Sequence, residues 1–169
     1  MSGALISISV GVVVERRKAA SQWIDFLWRP VAVLPGEPAA KPWTVLREEK
    51  ETTTFYAGAA VIELHRTETT NYRDNLASGS PGLWVVLRQT SGEPPYQVFT
   101  VTADPAEGEA MTEAGSDLVE QVAMPPSINS MIEAFVAEHH VERPHFKRER
   151  NRADPEALAR GRGKREDSE

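Results

Sequence analysis

The stretch from Trp23 to Gly36, WIDFLWRPVAVLPG, constrains the fold more than any other part of the chain. It is apolar for most of its length and stops at a proline–glycine pair. At a period of two, Trp28, Pro30, Ala32 and Leu34 fall on one side, and Leu27, Arg29, Val31 and Val33 on the other. Both sides are mostly apolar, the pattern of a strand covered on two faces with the other strands assembled around it. Pro30 has no N–H to give to a ladder, so the strand needs a free edge or a bulge there.

Strand signals recur through the first two thirds of the chain. Ile6, Ile8, Val10, Val12 and Val14 alternate with Ser7, Ser9 and Gly11, and the segment turns through Glu15–Gln22 into the tryptophan stretch. Trp43–Arg47 and Thr52–Tyr56 read as short strands, Ala57–Gly58 as punctuation, and Ala60–Leu64 as a further strand. Asn71–Ala77 is a weaker strand pattern; Leu83–Arg88 and Tyr96–Thr102 are clearer ones, with Ser78–Gly82 as a turn between. Asp104, Pro105 and Glu107 make a helix start, running to about Ala114 and stopping at Gly115. Leu118–Met124 is one more strand. From Pro125 and Pro126, Ile128, Met131, Ile132, Phe135, Val136 and His139 recur on one helical face, and Pro144 ends that helix. The helix is expected to pack across a face of the sheet.

These elements predict an α+β, mostly β fold. Seven or eight short antiparallel strands form a sandwich or half-barrel, with one short helix and one C-terminal amphipathic helix. Residues 1–145 read as a single domain and 146–169 as a basic, largely disordered tail. The charge is divided in the same way. Residues 1–142 carry 10 Lys or Arg against 19 Asp or Glu, a balance of −9, while residues 143–169 carry 9 against 6, a balance of +3.

The chain has no cysteine, which excludes a thiol nucleophile, a cysteine-ligated iron–sulfur cluster and a zinc ribbon. Its first apolar run has no positive charge before it and is shorter than the ~20 residues of a membrane span, so the expected location is the cytoplasm. No Gly-rich phosphate loop, dinucleotide fingerprint or metalloprotease helix is present. The sequence predicts a protein that is not an enzyme and uses no cofactor.

Two clusters are candidates for binding. His65, Arg66, Glu68, Tyr72, Arg73 and Asn75 gather imidazole, guanidinium, carboxylate and phenol groups near a strand end, as a ligand pocket would. The plainer reading of the same residues is a hydrogen-bonded strand-to-turn network. His139, His140, Arg143, His145, Phe146, Lys147, Arg148 and Arg150 form a histidine-rich helix end followed by a basic run. Three imidazoles suit a metal, but adjacent helical residues point about 100° apart, and histidine is also favoured at a helix C-terminus by the dipole. The basic run suits an acidic protein partner better than nucleic acid. Only Phe146 is interleaved for base stacking, and the acidic body repels phosphate.

The segments WRPVAVLPG (28–36), ELHRTET (63–69) with Tyr72, Asn75 and Leu76, and VVLR (85–88) resemble a bacterial family catalogued as domain of unknown function 3305. Met124–Pro126, Phe135–Val136 with His139–His140, and Phe146–Arg148 continue the resemblance over roughly residues 6–150. The resemblance implies an accessory protein encoded among genes for molybdenum-dependent formate dehydrogenase and its maturation factors, and it carries no catalytic residue. Together these readings predict a non-enzymatic accessory protein whose partner is formate dehydrogenase or a maturation factor. The alternative is a small-molecule or metal-binding β domain that uses the His65–Asn75 cluster.

Overall fold

The computed structural model describes residues 5–141. Seven strands form two antiparallel sheets. They are β1 (Ile6–Lys18), β2 (Phe26–Pro35), β3 (Thr44–Glu48), β4 (Thr52–Leu64), β5 (Gly82–Gln89), β6 (Tyr96–Thr102) and β7 (Leu118–Ala123). Three α-helices interrupt them: α1 (Thr69–Leu76), entered through a single 3₁₀ turn, α2 (Pro105–Ala114) and α3 (Pro126–His139). The larger sheet has the order β2-β1-β4-β3 and the smaller β6-β5-β7. The seams, β4 beside β6 and β2 beside β7, approach without ladder pairing, so the two sheets form a sandwich and not a closed barrel.

The centre of the larger sheet is β1 with β4, and not the tryptophan stretch. Ile6 pairs with Leu64 and Arg17 with Thr52, a ladder that runs the length of both strands. The inward face of β1, with Ile8, Val10, Val12 and Val14, joins Ile62 and Leu64 of β4 and Leu83, Val85 and Leu87 of β5 in one core cluster. Gly11 faces the other way, where Pro38 and Tyr56 pack so close that a Cβ would stand 2.8 Å and 2.9 Å from them. Burying these aliphatic chains is the main stabilising term, at roughly 25 cal/mol for each Å² of apolar surface withdrawn from water.

The tryptophan stretch takes an edge position, which corrects the expectation of a doubly covered strand. Val13 pairs with Ala32 and Val14 with Pro30, so Val31 is bulged out beside the proline that cannot donate. That is the physical reason for the edge: a strand with a missing donor bonds one neighbour and leaves its other side unpaired. Only the Pro30 and Val33 end lies deep in the protein; Trp23 is 90% exposed and Leu27 54%.

Three other expectations are corrected. Thr52–Tyr56 and Ala60–Leu64 are one strand, because a bulge at Ala57 and the positive φ of 143° at Gly58 absorb the irregularity without ending the ladder. Asn71–Ala77 belongs to α1, not to a strand; Thr69, Tyr72 and Asn75 share its buried face at helical spacing. The C-terminal helix packs chiefly against α1 instead of lying across a sheet. Of the amphipathic face assigned to it, Ile128, Ile132, Phe135 and Val136 are in the core, Phe135 only 1% exposed, whereas Met131 is 46% exposed and lies off the buried stripe. Asp104 caps α2 by accepting from the Ala106 N–H at 2.9 Å, and Gly115 closes it in the left-handed conformation.

Candidate functional site

Helix α1 and the end of α3 bring the two predicted clusters together. The imidazole of His140 lies 3.1 Å from Thr69 Oγ1 through Nδ1, and 3.0 Å from Arg73 Nη1 through Nε2. A guanidinium has no acceptor, so Arg73 donates to Nε2. The imidazole proton therefore sits on Nδ1 and is donated to the threonine hydroxyl. His140 thereby links α1 to the end of α3 through both ring nitrogens.

Behind this surface Tyr72 and Asn75 serve the scaffold. Tyr72 is buried, its ring meets Phe135 edge-on at 6.1 Å, and its hydroxyl accepts from the His65 backbone N–H at 2.9 Å. Burial, and after it the nearby carboxylates Asp104, Glu68 and Glu107, push the phenol up to about 12 against the pull of that hydrogen bond. Asn75 donates to the carbonyls of Gly82 and Ala103 at 2.8 Å and 3.0 Å and accepts from the Gly82 N–H at 3.0 Å. One amide thereby joins α1 to the start of β5 and the end of β6. Glu68 accepts from Asn71 at 3.1 Å, and His65 lies 3.7 Å from Glu63. Arg66 is exposed.

Glu107, on the first turn of α2, faces this cluster. Burial and then the charge of Asp104 raise its carboxyl above the usual range, opposed by a hydrogen bond from Thr102 and by His65. His139 lies against Phe135, ring centroids 4.7 Å apart. Among the described residues no three His, Asp or Glu side chains converge tightly enough to hold a metal ion. Arg143, His145, Phe146, Lys147, Arg148 and Arg150 lie outside the described residues.

A groove of about 440 Å³ runs between α1 and α3, lined by Arg73, Leu76, Ala77, Glu133, Val136 and their neighbours. Of the six residues in the first cluster, Arg73 alone lines it.

A second surface escaped the sequence reading. The turn from β1 to β2 carries Trp23 and Ile24, and β2 adds Phe26 and Leu27, all four exposed. The turn is closed by the Ala19 N–H donating to the Asp25 carbonyl at 3.1 Å. Its base is rigid. Trp28 stacks on Phe55 at 5.9 Å and meets Trp43 and Tyr96 at 5.7 Å and 6.1 Å, while the Arg16 guanidinium lies 4.4 Å from the Phe26 ring. The turn expected at Glu15–Gln22 is corrected here: β1 runs on to Lys18, and the turn that follows it carries Trp23 and Ile24.

A family model described as a protein of unknown function, DUF3305, matches residues 9–150. The chain belongs to the DUF3305 family. Among curated proteins and among solved structures, no significant match to it is found. The DUF3305 match takes in both sheets, the hairpin tip and the α1–α3 junction, and it extends through Arg150 of the basic run. No helix among the described residues of this DUF3305 protein is long and apolar enough to cross a membrane.

Proposed function

We propose that this DUF3305 protein is a non-enzymatic accessory factor of the cytoplasm that acts through protein–protein contacts. Its role is to assist the assembly, stability or regulation of a molybdenum-dependent formate dehydrogenase. The observation that carries an interaction role is the hairpin tip. Trp23, Ile24, Phe26 and Leu27 are four exposed apolar side chains within five residues, next to the Trp28 aromatic cluster, and concentrations of exposed apolar side chains mark contact sites. Presenting them on a fixed base lowers the ordering cost of binding. The choice of formate dehydrogenase rests on the family resemblance, which speaks to a shared pathway and not to a mechanism.

The second contact is the segment from His139 to Arg150. The net +3 of residues 143–169 suits an acidic partner surface, and the Arg73–His140 link fixes where that segment leaves the body. A small-molecule pocket at His65–Asn75 has less support, since Tyr72 and Asn75 use their hydrogen-bonding groups within the protein.

Affinity purification of the full chain from its native host, followed by mass spectrometry, tests the proposal. Formate dehydrogenase or a maturation factor is expected to co-purify. Raised salt, truncation before Arg143, and the pair Trp23→Ser with Ile24→Ser should each weaken that association. Retention that ignores salt and truncation removes the arm from the proposal, and retention that ignores the tip substitutions removes the tip. An eluate without either protein refutes the assignment to formate dehydrogenase.

A further inference from the structure

A larger groove, of about 520 Å³, lies along the β4–β6 seam under the loop that joins β5 to β6. The accessory role does not use it. Trp43 and Tyr96 stand in its walls, Glu93 is on the loop, and Gly58 with Val98 lines the seam. Trp43 is there because its backbone takes a φ of 67°, a conformation that bulky residues rarely adopt. In that conformation its N–H reaches the Tyr56 carbonyl at 2.6 Å just before β3 begins. Both wall rings are braced by Trp28, with centroids 5.7 Å and 6.1 Å away, so they are fixed surfaces and not loose side chains. Gly58 lies on the seam at a positive φ of 143°, a conformation that L side chains rarely adopt, with Val98 and Pro42 beside it.

The chemistry of the lining selects a class of ligand. Among the described residues, Glu93 is its only ionisable group apart from the Tyr96 phenol, and no lysine or arginine lines it. The nearest cation in sequence, Lys41, is exposed and outside the lining. An anion would find no cationic partner here. A cation would find two aromatic residues, whose ring quadrupoles attract positive charge, and a glutamate in the lining. The fold already uses this chemistry on the neighbouring side of Trp28, where the Arg16 guanidinium sits 4.4 Å from the Phe26 ring and 5.2 Å from that of Phe55. The volume is in the range of small-ligand sites. We infer that the Trp43–Tyr96 groove binds an organic cation, a guanidinium or alkylammonium group held against the rings with its charge toward Glu93. The site stands whether or not the protein serves formate dehydrogenase.

Two sources supply such a group: a free amine, or an arginine or lysine side chain on a segment of another protein. The test is an NMR titration of the isotope-labelled full chain with tetramethylammonium chloride and, separately, with N-acetyl-arginine amide. Each is run against sodium chloride at equal ionic strength. Saturable shifts are expected at the Trp43 indole N–H and at the Gly58 and Gly92 amides, with affinity about tenfold weaker in Glu93→Gln. Glu93 is exposed, so that variant keeps the fold, and an unchanged remainder of the spectrum verifies it. Tighter binding of the arginine amide assigns the site to a partner's side chain, and tighter binding of tetramethylammonium to a free amine; either supports the inference. No saturation with either cation, the same shifts in sodium chloride, or an unchanged affinity in Glu93→Gln overturns it.

Discussion

Arg73 donates to Nε2 of His140 at 3.0 Å, tying the middle of α1 to the residue that follows α3. The guanidinium only donates, so Nε2 accepts in this bond and Nδ1–H is left to donate to the Thr69 hydroxyl. A double-mutant cycle of Arg73→Ala and His140→Ala should show a coupling of about 0.5–1.5 kcal/mol in urea unfolding. The cycle separates this term from the other interactions of Arg73. A coupling of zero would mean that the helix end is held without the Arg73–His140 bond.

Asn75 gives the largest expected effect of any polar residue in the cluster. Replacing it with alanine strands the buried Gly82 N–H and leaves the Gly82 and Ala103 carbonyls without their donor. A loss of about 2–4 kcal/mol is expected. Asn75→Asp should cost no less, since a carboxylate has nothing to donate to two carbonyls. Chemical denaturation of both variants measures this, and an Asp variant of wild-type stability contradicts it.

The ionisation of Tyr72 and Glu107 gives stability a definite pH dependence. Each holds its proton more tightly folded than unfolded, so each costs stability as pH rises through the interval between its unfolded and folded values. For Tyr72 that interval ends at about 12, and the loss comes on the alkaline side. For Glu107 it lies just above the ordinary carboxylate range. Glu107→Gln should therefore flatten the decline on leaving acid pH, by less than about 1 kcal/mol because the group is partly solvated. Tyr72→Phe should remove the alkaline decline while lowering stability at neutral pH by about 1–2 kcal/mol through the stranded His65 N–H. Thermal unfolding across pH, wild type against each variant, reads both signs.

The hairpin tip and its base should separate under mutation. Trp23→Ser is expected to change stability by less than about 0.5 kcal/mol, since the ring touches little of the fold. Trp28→Ala is expected to cost about 2–4 kcal/mol, because it removes the ring on which Phe55, Trp43 and Tyr96 pack. Comparable losses in the two variants would mean that Trp23 belongs to the scaffold and not to a contact surface.

The mostly β class, the ends of α2 and the buried face of α3 were legible because each has a local signal: alternation, a cap with its glycine stop, and a helical apolar stripe. Helix α1 was not, because its inward residues Thr69, Tyr72 and Asn75 include two polar side chains that hide the stripe. The place of β2 was half legible. Pro30 pointed to an edge or a bulge, and the strand has both, yet apolar letters alone do not separate a covered tryptophan from a bare one. The meeting of the two candidate clusters left no local trace, as His140 lies 71 residues from Thr69 and 67 from Arg73.

The ladder of β1 with β4 is complete once Leu64 has been made, whereas β5 waits for β7 and the core waits for Ile128, Ile132 and Phe135. During synthesis, then, every strand of the larger sheet is made before the residues of β5, β7 and α3 that cover its inner face. An apolar face that waits this long for its cover is the kind of surface through which partly made chains aggregate.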